Sequence, residues 1–503
     1  RAWRPREDLA MSTAPATMPR LVCAGCGAQV DALTDAGPAW RCPHAGTGDV
    51  DHVLRPAPEP GQASGAGRQD WAAEGAPPLG SPFVRYRDRL AVHAAALALG
   101  MADAEFVARV EALDARVAAL DGHGFRVTPT RLETTLANGI GLPCGHLVAK
   151  VECGNVSGSH KSRHLFGLAL WLEVERWARE RGVLTRATAA PARLAIASCG
   201  NAALAAAVVA RAAGHALDVF VPTWASAPVV ARLRDLGATV TACARPPGVA
   251  GDPCYHAFRD TVARGAVPFC CQGPDNGLTI EGGATLAWEM LDALENEPPA
   301  AMFVQVGGGA QATAVARGFL SALRGGRLAR APRLHAVQTH GCAPLVRAYD
   351  RVVLRVLAEA GVEGAPIDTL AAAPVPVRIE RAGVIARLAS SSPVDATLRA
   401  AATHRSAFMQ PWDTEPRSVA TGILDDETYD WLAIVEAMLR SGGYPVLAAE
   451  DTLRLANRLV HDATGLDVCM TGTAGLAGLM DALAHDARLS RERLGVVFSG
   501  ATR

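Results

Sequence analysis

Residues 194–222 read LAIASCGNAALAAAVVARAAGHALDVFVP. The run LAIAS (194–198) is short and apolar, a glycine-bearing turn follows, and ALAAAVVARAAG (203–214) has the composition of a helix. DVFVP (218–222) is a second strand-like run, and APVVARLRDLG (227–237) a second helical one. Farther along, MFVQV (302–306) precedes ATAVARGFLSALR (312–324), and LHAVQ (334–338) comes after it. Short strands that are apolar throughout, alternating with amphipathic helices, specify an α/β fold built on a parallel sheet. The alternation runs from residue 84 to about 340 and resumes at 417. Residues 352–416, rich in Ala, Pro and Ser, break the rhythm and are expected to form an insertion.

Size and composition narrow the classes open to such a chain. Its 503 residues suit two or three domains. Half of them are hydrophobic and the formal net charge is −1, so no global field favours nucleic acid or an anionic membrane. No apolar run approaches the roughly 20 residues that span a bilayer. The 12 cysteines are mostly scattered singly, which suits a reduced, cytoplasmic protein. Residues 1–18 lack the apolar core of a secretory signal and are expected to be a disordered extension, with Met11 or Met18 as candidate start residues. Residues 57–82 have the Pro/Gly/Ala composition of a linker.

The segment NVSGSHKSRH (155–164) carries the strongest chemical signal. The chain holds 47 arginines but only two lysines, Lys150 and Lys161. Arginine can replace lysine as a surface cation but not as an amine, because guanidinium does not give up its proton. A lysine retained in so lysine-poor a chain therefore suggests amine chemistry, such as condensation with an aldehyde. Asn155, Ser157 and Ser159 crowd a glycine-containing turn just before an apolar helical run, a setting suited to an anion. Lys150 ends the strand-like HLVAK and is expected to be structural. Arg163 is either a contact for an anionic leaving group or a solvated residue on a helix face.

Two glycine turns fit a phosphate-bearing ligand. VQVGGGAQATA (304–314) passes from a strand through Gly307, Gly308 and Gly309 into a helix, where backbone amides can converge on phosphate. It is not the G-x-G-x-x-G of dinucleotide folds. ASCGNAALAAA (197–207) is a second strand–turn–helix, offering amides to a carboxylate and Asn201 to a ring oxygen.

Near the N-terminus, Cys23-x-x-Cys26 and Cys42 supply three ligands of a zinc-ribbon-like module over residues 20–56. His44 is taken as the fourth ligand, with His52 as the other candidate.

Together these segments resemble the pyridoxal-phosphate enzymes of fold type II, the tryptophan synthase β superfamily, and the threonine synthases most closely. NVSGSHKSRH is similar to the family's lysine segment, and the resemblance makes Lys161 the Schiff-base lysine with His160 beside the cofactor. The same resemblance puts Asn201 on the cofactor's 3′-oxygen and phosphate in the cradle Gly307, Gly308, Gly309, Ala310 and Gln311. Ser159 and the loop at Ser198, Cys199, Gly200 and Ala202 would take the substrate carboxylate. LGVVFSG (494–500) looks like the family's last strand, with Ser499 against the pyridine nitrogen. His160 stands where the family usually has Phe, and Cys469-Met470 where Glu-Pro is expected.

The resemblance implies two open, mostly parallel α/β sheet domains. These are a large cofactor domain over 84–165 and 276–503, and a small mobile substrate domain over 166–275. It further implies a homodimer acting on an amino acid, by elimination or replacement at Cβ or Cγ as in threonine synthase. A serine/threonine dehydratase-type ammonia-lyase is the alternative, and a non-catalytic regulator on the same fold the third reading.

Overall fold

The computed structural model describes residues 17–57, 79–186, 193–245, 251–362 and 373–503. The first 16 residues of the expected extension and residues 58–78 of the expected linker lie outside the described residues.

The stretch at 194–222 folds as its pattern requires. Strands Leu194–Ala197 and Leu217–Pro222 pair in parallel, with the helix Asn201–Ala213 between them in sequence. Alanine and valine fill nearly all of that helix, and it is buried along most of its length between the helices Asp103–Asp121 and Lys161–Glu180. Gly214 ends it in the left-handed conformation common after a helix C-terminus. Thr239–Cys243 and Val267–Pro268 complete a four-stranded sheet, all parallel, in the order Thr239–Cys243, Leu217–Pro222, Leu194–Ala197, Val267–Pro268.

A second sheet has six strands, in the order Val446–Ala448, Arg333–Thr339, Ala301–Gln305, Leu494–Phe498, Leu147–Val151 and Thr130–Leu132. Five are parallel, and Thr130–Leu132 closes the edge antiparallel. The central strands are buried on both faces, which explains their largely apolar composition, Lys150 and Gln305 excepted. Two mostly parallel sheets clothed in helices make this an α/β fold of the tryptophan synthase β-like kind.

Helices occupy most of the described part of 352–416. Pro344–Glu359 runs across residue 352, and Val375–Leu388 and Ser392–Thr403 pack on it. The N-terminal module is separate in character, a small antiparallel sheet in the order Gln29–Asp31, Arg20–Cys23, Leu54–Pro56. No helix among the described residues is long and apolar enough to cross a membrane.

Candidate active site at the ends of the six-stranded sheet

Three neighbouring strands of the larger sheet, Ala301–Gln305, Leu494–Phe498 and Leu147–Val151, run parallel. Their carboxyl ends lead into the glycine turn at 307, into Ser499 and into the lysine turn at 155. The carboxyl edge of an open parallel sheet is where such folds bind ligands.

The lysine turn is built by its own side chains. Asn155 accepts from the Val156 amide at 2.8 Å and donates to Glu152 at 2.8 Å. Ser157 then adopts a left-handed φ of 54°, and Lys161 opens the helix Lys161–Glu180. The chain's last residues brace this turn, since the Ala501 amide donates to Gly158 O at 2.9 Å and Arg503 donates to Ser157 O. One residue before the lysine, the His160 amide donates to Ser499 Oγ at 3.1 Å, and His160 Nδ1 lies 2.5 Å from the same oxygen. Burial, aided by the Lys161 charge, holds the His160 pKa well below the usual histidine range. A neutral ring with its proton on Nδ1 can then donate to the Ser499 oxygen, which leaves the hydroxyl proton free for a ligand.

Lys161 itself is half-buried. Among the described residues no hydrogen bond or ion pair holds its ammonium group, though its charge is felt by Asp425, Asp430 and Cys271. Lys150 is its opposite. Fully buried, it donates to Thr128 O at 2.6 Å and pairs with Glu289 at 2.5 Å.

Arg163 belongs to that same buried network and corrects both sequence readings of it. Its guanidinium pairs with Glu152 at 2.8 Å and with Glu289 at 2.6 Å, and donates to Thr285 at 2.8 Å. It is neither solvated nor open to a ligand, because two carboxylates already engage its donors.

From the smaller sheet, the turn Ser198–Asn201 reaches the same place. A Cβ added to Gly500 would lie 2.9 Å from Asn201 Nδ2, so Asn201 stands against the residue that follows Ser499. Cys199 and Ala202 are partly buried beside it, and the Gly200 amide donates to Ser198 Oγ at 3.4 Å.

The glycine turn caps the helix Ala310–Arg324 with Gly309. Gly307 meets the Asp425 carboxylate so closely that any side chain there would collide with it. The Asp430 amide donates to Gly308 O at 3.0 Å. Both aspartates come from the acidic run DDETYD (425–430), which the sequence pattern did not single out. Burial pushes Asp425 up to about 6, and the Lys161 charge opposes this. Asp430 is pushed up to about 8, mainly by burial and further by the charge of Asp51.

Four buried polar atoms of this region, Ser159 Oγ, His160 Nε2, Gln311 Nε2 and Thr313 Oγ1, have no hydrogen-bond partner. Leaving such groups unpaired is costly, and their position suits a polar ligand that would satisfy them.

In the N-terminal module, Cys23, Cys26 and Cys42 come together as expected, but the fourth corner is His52. The four ligand atoms of these residues lie within 4.8 Å of one another. His44 is exposed, and its ring Nδ1 lies 3.5 Å from the Cys26 sulfur. His52, the other candidate, is buried two residues ahead of the strand Leu54–Pro56, which pairs with the strand that ends in Cys23.

No curated protein sequence matches the chain. Solved structures share its fold at low identity. The structure of maize serine racemase is 16% identical, covering 79% of this chain and 93% of that one, with a TM-score of 0.51. The processed form of threonine deaminase isoform 2 from Solanum lycopersicum is also 16% identical, covering 79% and 85%, with a TM-score of 0.51. A fungal L-serine ammonia-lyase from Rhizomucor miehei is 18% identical, covering 75% and 94%, with a TM-score of 0.50. Residues 123–378, which include the lysine turn, Asn201 and the glycine cradle, match the family described as pyridoxal-phosphate dependent enzyme. By that match over half its length, the chain belongs to the pyridoxal-phosphate dependent enzymes.

Proposed function

We propose that the protein is a lyase or synthase that performs elimination or replacement at Cβ or Cγ of an activated amino acid, in the manner of threonine synthases. The observation that carries this reading is the pairing of Ser499 with His160. A neutral hydroxyl held by a neutral imidazole can donate a hydrogen bond to an unprotonated pyridine nitrogen and sets no countercharge against it, an arrangement suited to elimination and replacement.

The residues fit the cofactor. Lys161 would bear it, the amides of Gly307, Gly308 and Gly309 with Gln311 would hold its phosphate, Ser499 would meet its ring nitrogen and Asn201 its ring oxygen. When bound, pyridoxal phosphate supplies an electron sink for the bond broken at Cα. The chain's own groups do the rest. Lys161, tied to no partner among the described residues, can take the α-proton as general base. Ser159 and the turn Ser198–Ala202, including Cys199 and Gly200, orient the substrate carboxylate. Asp425 lines the glycine turn as a carboxyl that retains a proton more readily than a solvated one, and can return it to a departing group.

A second reading, an ammonia-lyase of the serine/threonine dehydratase type, is favoured by one observation. Arg163, the cation that could have met a phosphorylated leaving group, is committed to Glu152 and Glu289. Incubating the holoenzyme with a panel of amino acids and phosphorylated amino acids separates the two. Phosphate release supports the first reading, ammonia with a keto acid supports the second, and an unchanged visible spectrum with every compound removes both.

A further inference from the structure

We infer that Cys23, Cys26, Cys42 and His52 form a mononuclear tetrahedral site for zinc, independent of the cofactor site. Three thiols and an imidazole are the donor set of structural zinc. Their spacing fits the ion. With Zn–S of about 2.3 Å and Zn–N of about 2.0 Å, a tetrahedron has S···S edges of about 3.8 Å and S···N edges of about 3.5 Å. Cys26 Sγ and Cys42 Sγ are 3.6 Å apart, and Cys23 Sγ and His52 Nδ1 are also 3.6 Å apart. These are opposite edges of one tetrahedron, contributed by four different residues.

The surroundings prepare the ligands. His52 Nε2 lies 3.1 Å from the Thr47 carbonyl oxygen. That acceptor fixes the proton on Nε2 and leaves the Nδ1 lone pair aimed at the sulfurs, as outer-shell partners of metal-bound histidines do. The His44 amide donates to Cys42 Sγ at 3.4 Å and so helps to place that sulfur. Gly25 permits the approach, because a Cβ there would stand 2.5 Å from Val50 and 2.6 Å from the Asp51 carbonyl oxygen.

The site fastens this module to the body of the protein. Next to His52, the Asp51 amide donates to Ala402 O at 2.8 Å and the Asp51 carboxylate pairs with Arg405 at 3.4 Å. Asp49 accepts from the Ser406 amide at 2.9 Å and from its hydroxyl at 2.7 Å. A metal that closes the loop between Cys42 and His52 holds these contacts in register.

Elemental analysis of the full-length holoenzyme, prepared with zinc in the medium, is expected to give about one zinc per chain. Cys26→Ser and His52→Ala should lose most of it, while His44→Ala keeps it. Should the variants fail to fold, wild-type protein loaded with Co(II) provides the second measurement. Thiolate-to-cobalt charge transfer together with intense tetrahedral d–d bands is the expected spectrum. Zinc-free wild type, a Cys26–Cys42 disulfide, an octahedral cobalt spectrum, or zinc lost from His44→Ala but kept by His52→Ala would each overturn the assignment.

Discussion

The hydroxyl of Ser499 lies 2.5 Å from Nδ1 of His160 and 3.1 Å from its backbone amide, so the last strand of the sheet is tied directly to the residue before Lys161. The pair is neutral, and that neutrality is what the proposed chemistry uses. Ser499→Asp puts a carboxylate against the ring, which favours a protonated His160 or a protonated pyridine nitrogen. Turnover is expected to fall by at least roughly tenfold, or about 1.4 kcal/mol of barrier, with a shift in the cofactor's visible absorbance. Full activity with an unchanged spectrum would mean that Ser499 does not face the ring.

Lys150 and Arg163 should matter to stability, not to turnover directly. Each is fully buried against Glu289, and removing one partner strands a carboxylate in a low-dielectric interior. Lys150→Met or Arg163→Met is expected to cost about 3–5 kcal/mol in denaturant unfolding. Lys161→Met, which breaks no ion pair, should cost well under about 1.5 kcal/mol when measured without cofactor.

Asp430 should give stability a measurable pH dependence. In the folded protein it holds its proton up to about pH 8, whereas an ordinary aspartate releases it near 3.8. The native state therefore binds more protons across that window, and this group's contribution to stability is lost as pH rises through it. The advantage of Asp430→Asn over wild type should grow between about pH 4 and pH 8, on the order of 1.4 kcal/mol per pH unit at most. Paired urea titrations at several pH values check this, and a constant difference would contradict it.

Asp425 sits closer to the phosphate cradle, against Gly307. Above about pH 6 its charged form would repel a bound phosphate. Asp425→Asn is therefore expected to hold pyridoxal phosphate more tightly than wild type at pH 8, with a smaller difference at pH 5. Equal cofactor dissociation constants at both pH values would show that the carboxylate does not share the cradle.

Much of the fold was legible because buried parallel strands write themselves as short, largely apolar runs. LAIAS, DVFVP, MFVQV and LHAVQ all lie in strands, to within a residue or so. Lys161 stood out because arginine cannot supply an amine, and Gly307 because a strand–glycine–helix turn has its own pattern. What stayed hidden depends on tertiary packing. Arg163 looked like a helix-face cation because nothing in its neighbours reveals Glu289, more than a hundred residues away. Sequence left both His44 and His52 open as the fourth ligand, and only the fold buries His52 beside the three sulfurs. Asp425 and Asp430 were not singled out, because their burial against the glycine turn leaves no local trace in sequence.

The account rests most heavily on Lys161 as the residue that bears the cofactor. Borohydride reduction of the holoenzyme, followed by peptide mapping, tests it directly, because the chain offers only one alternative lysine. The expected result is cofactor fixed to the peptide containing Lys161, and none fixed in Lys161→Arg, whose guanidinium cannot condense with an aldehyde. Turnover should fall in that variant by roughly a hundredfold or more, the scale of general-base catalysis. Cofactor fixed at Lys150, or a Lys161→Arg enzyme retaining more than about a tenth of wild-type activity, would contradict the assignment.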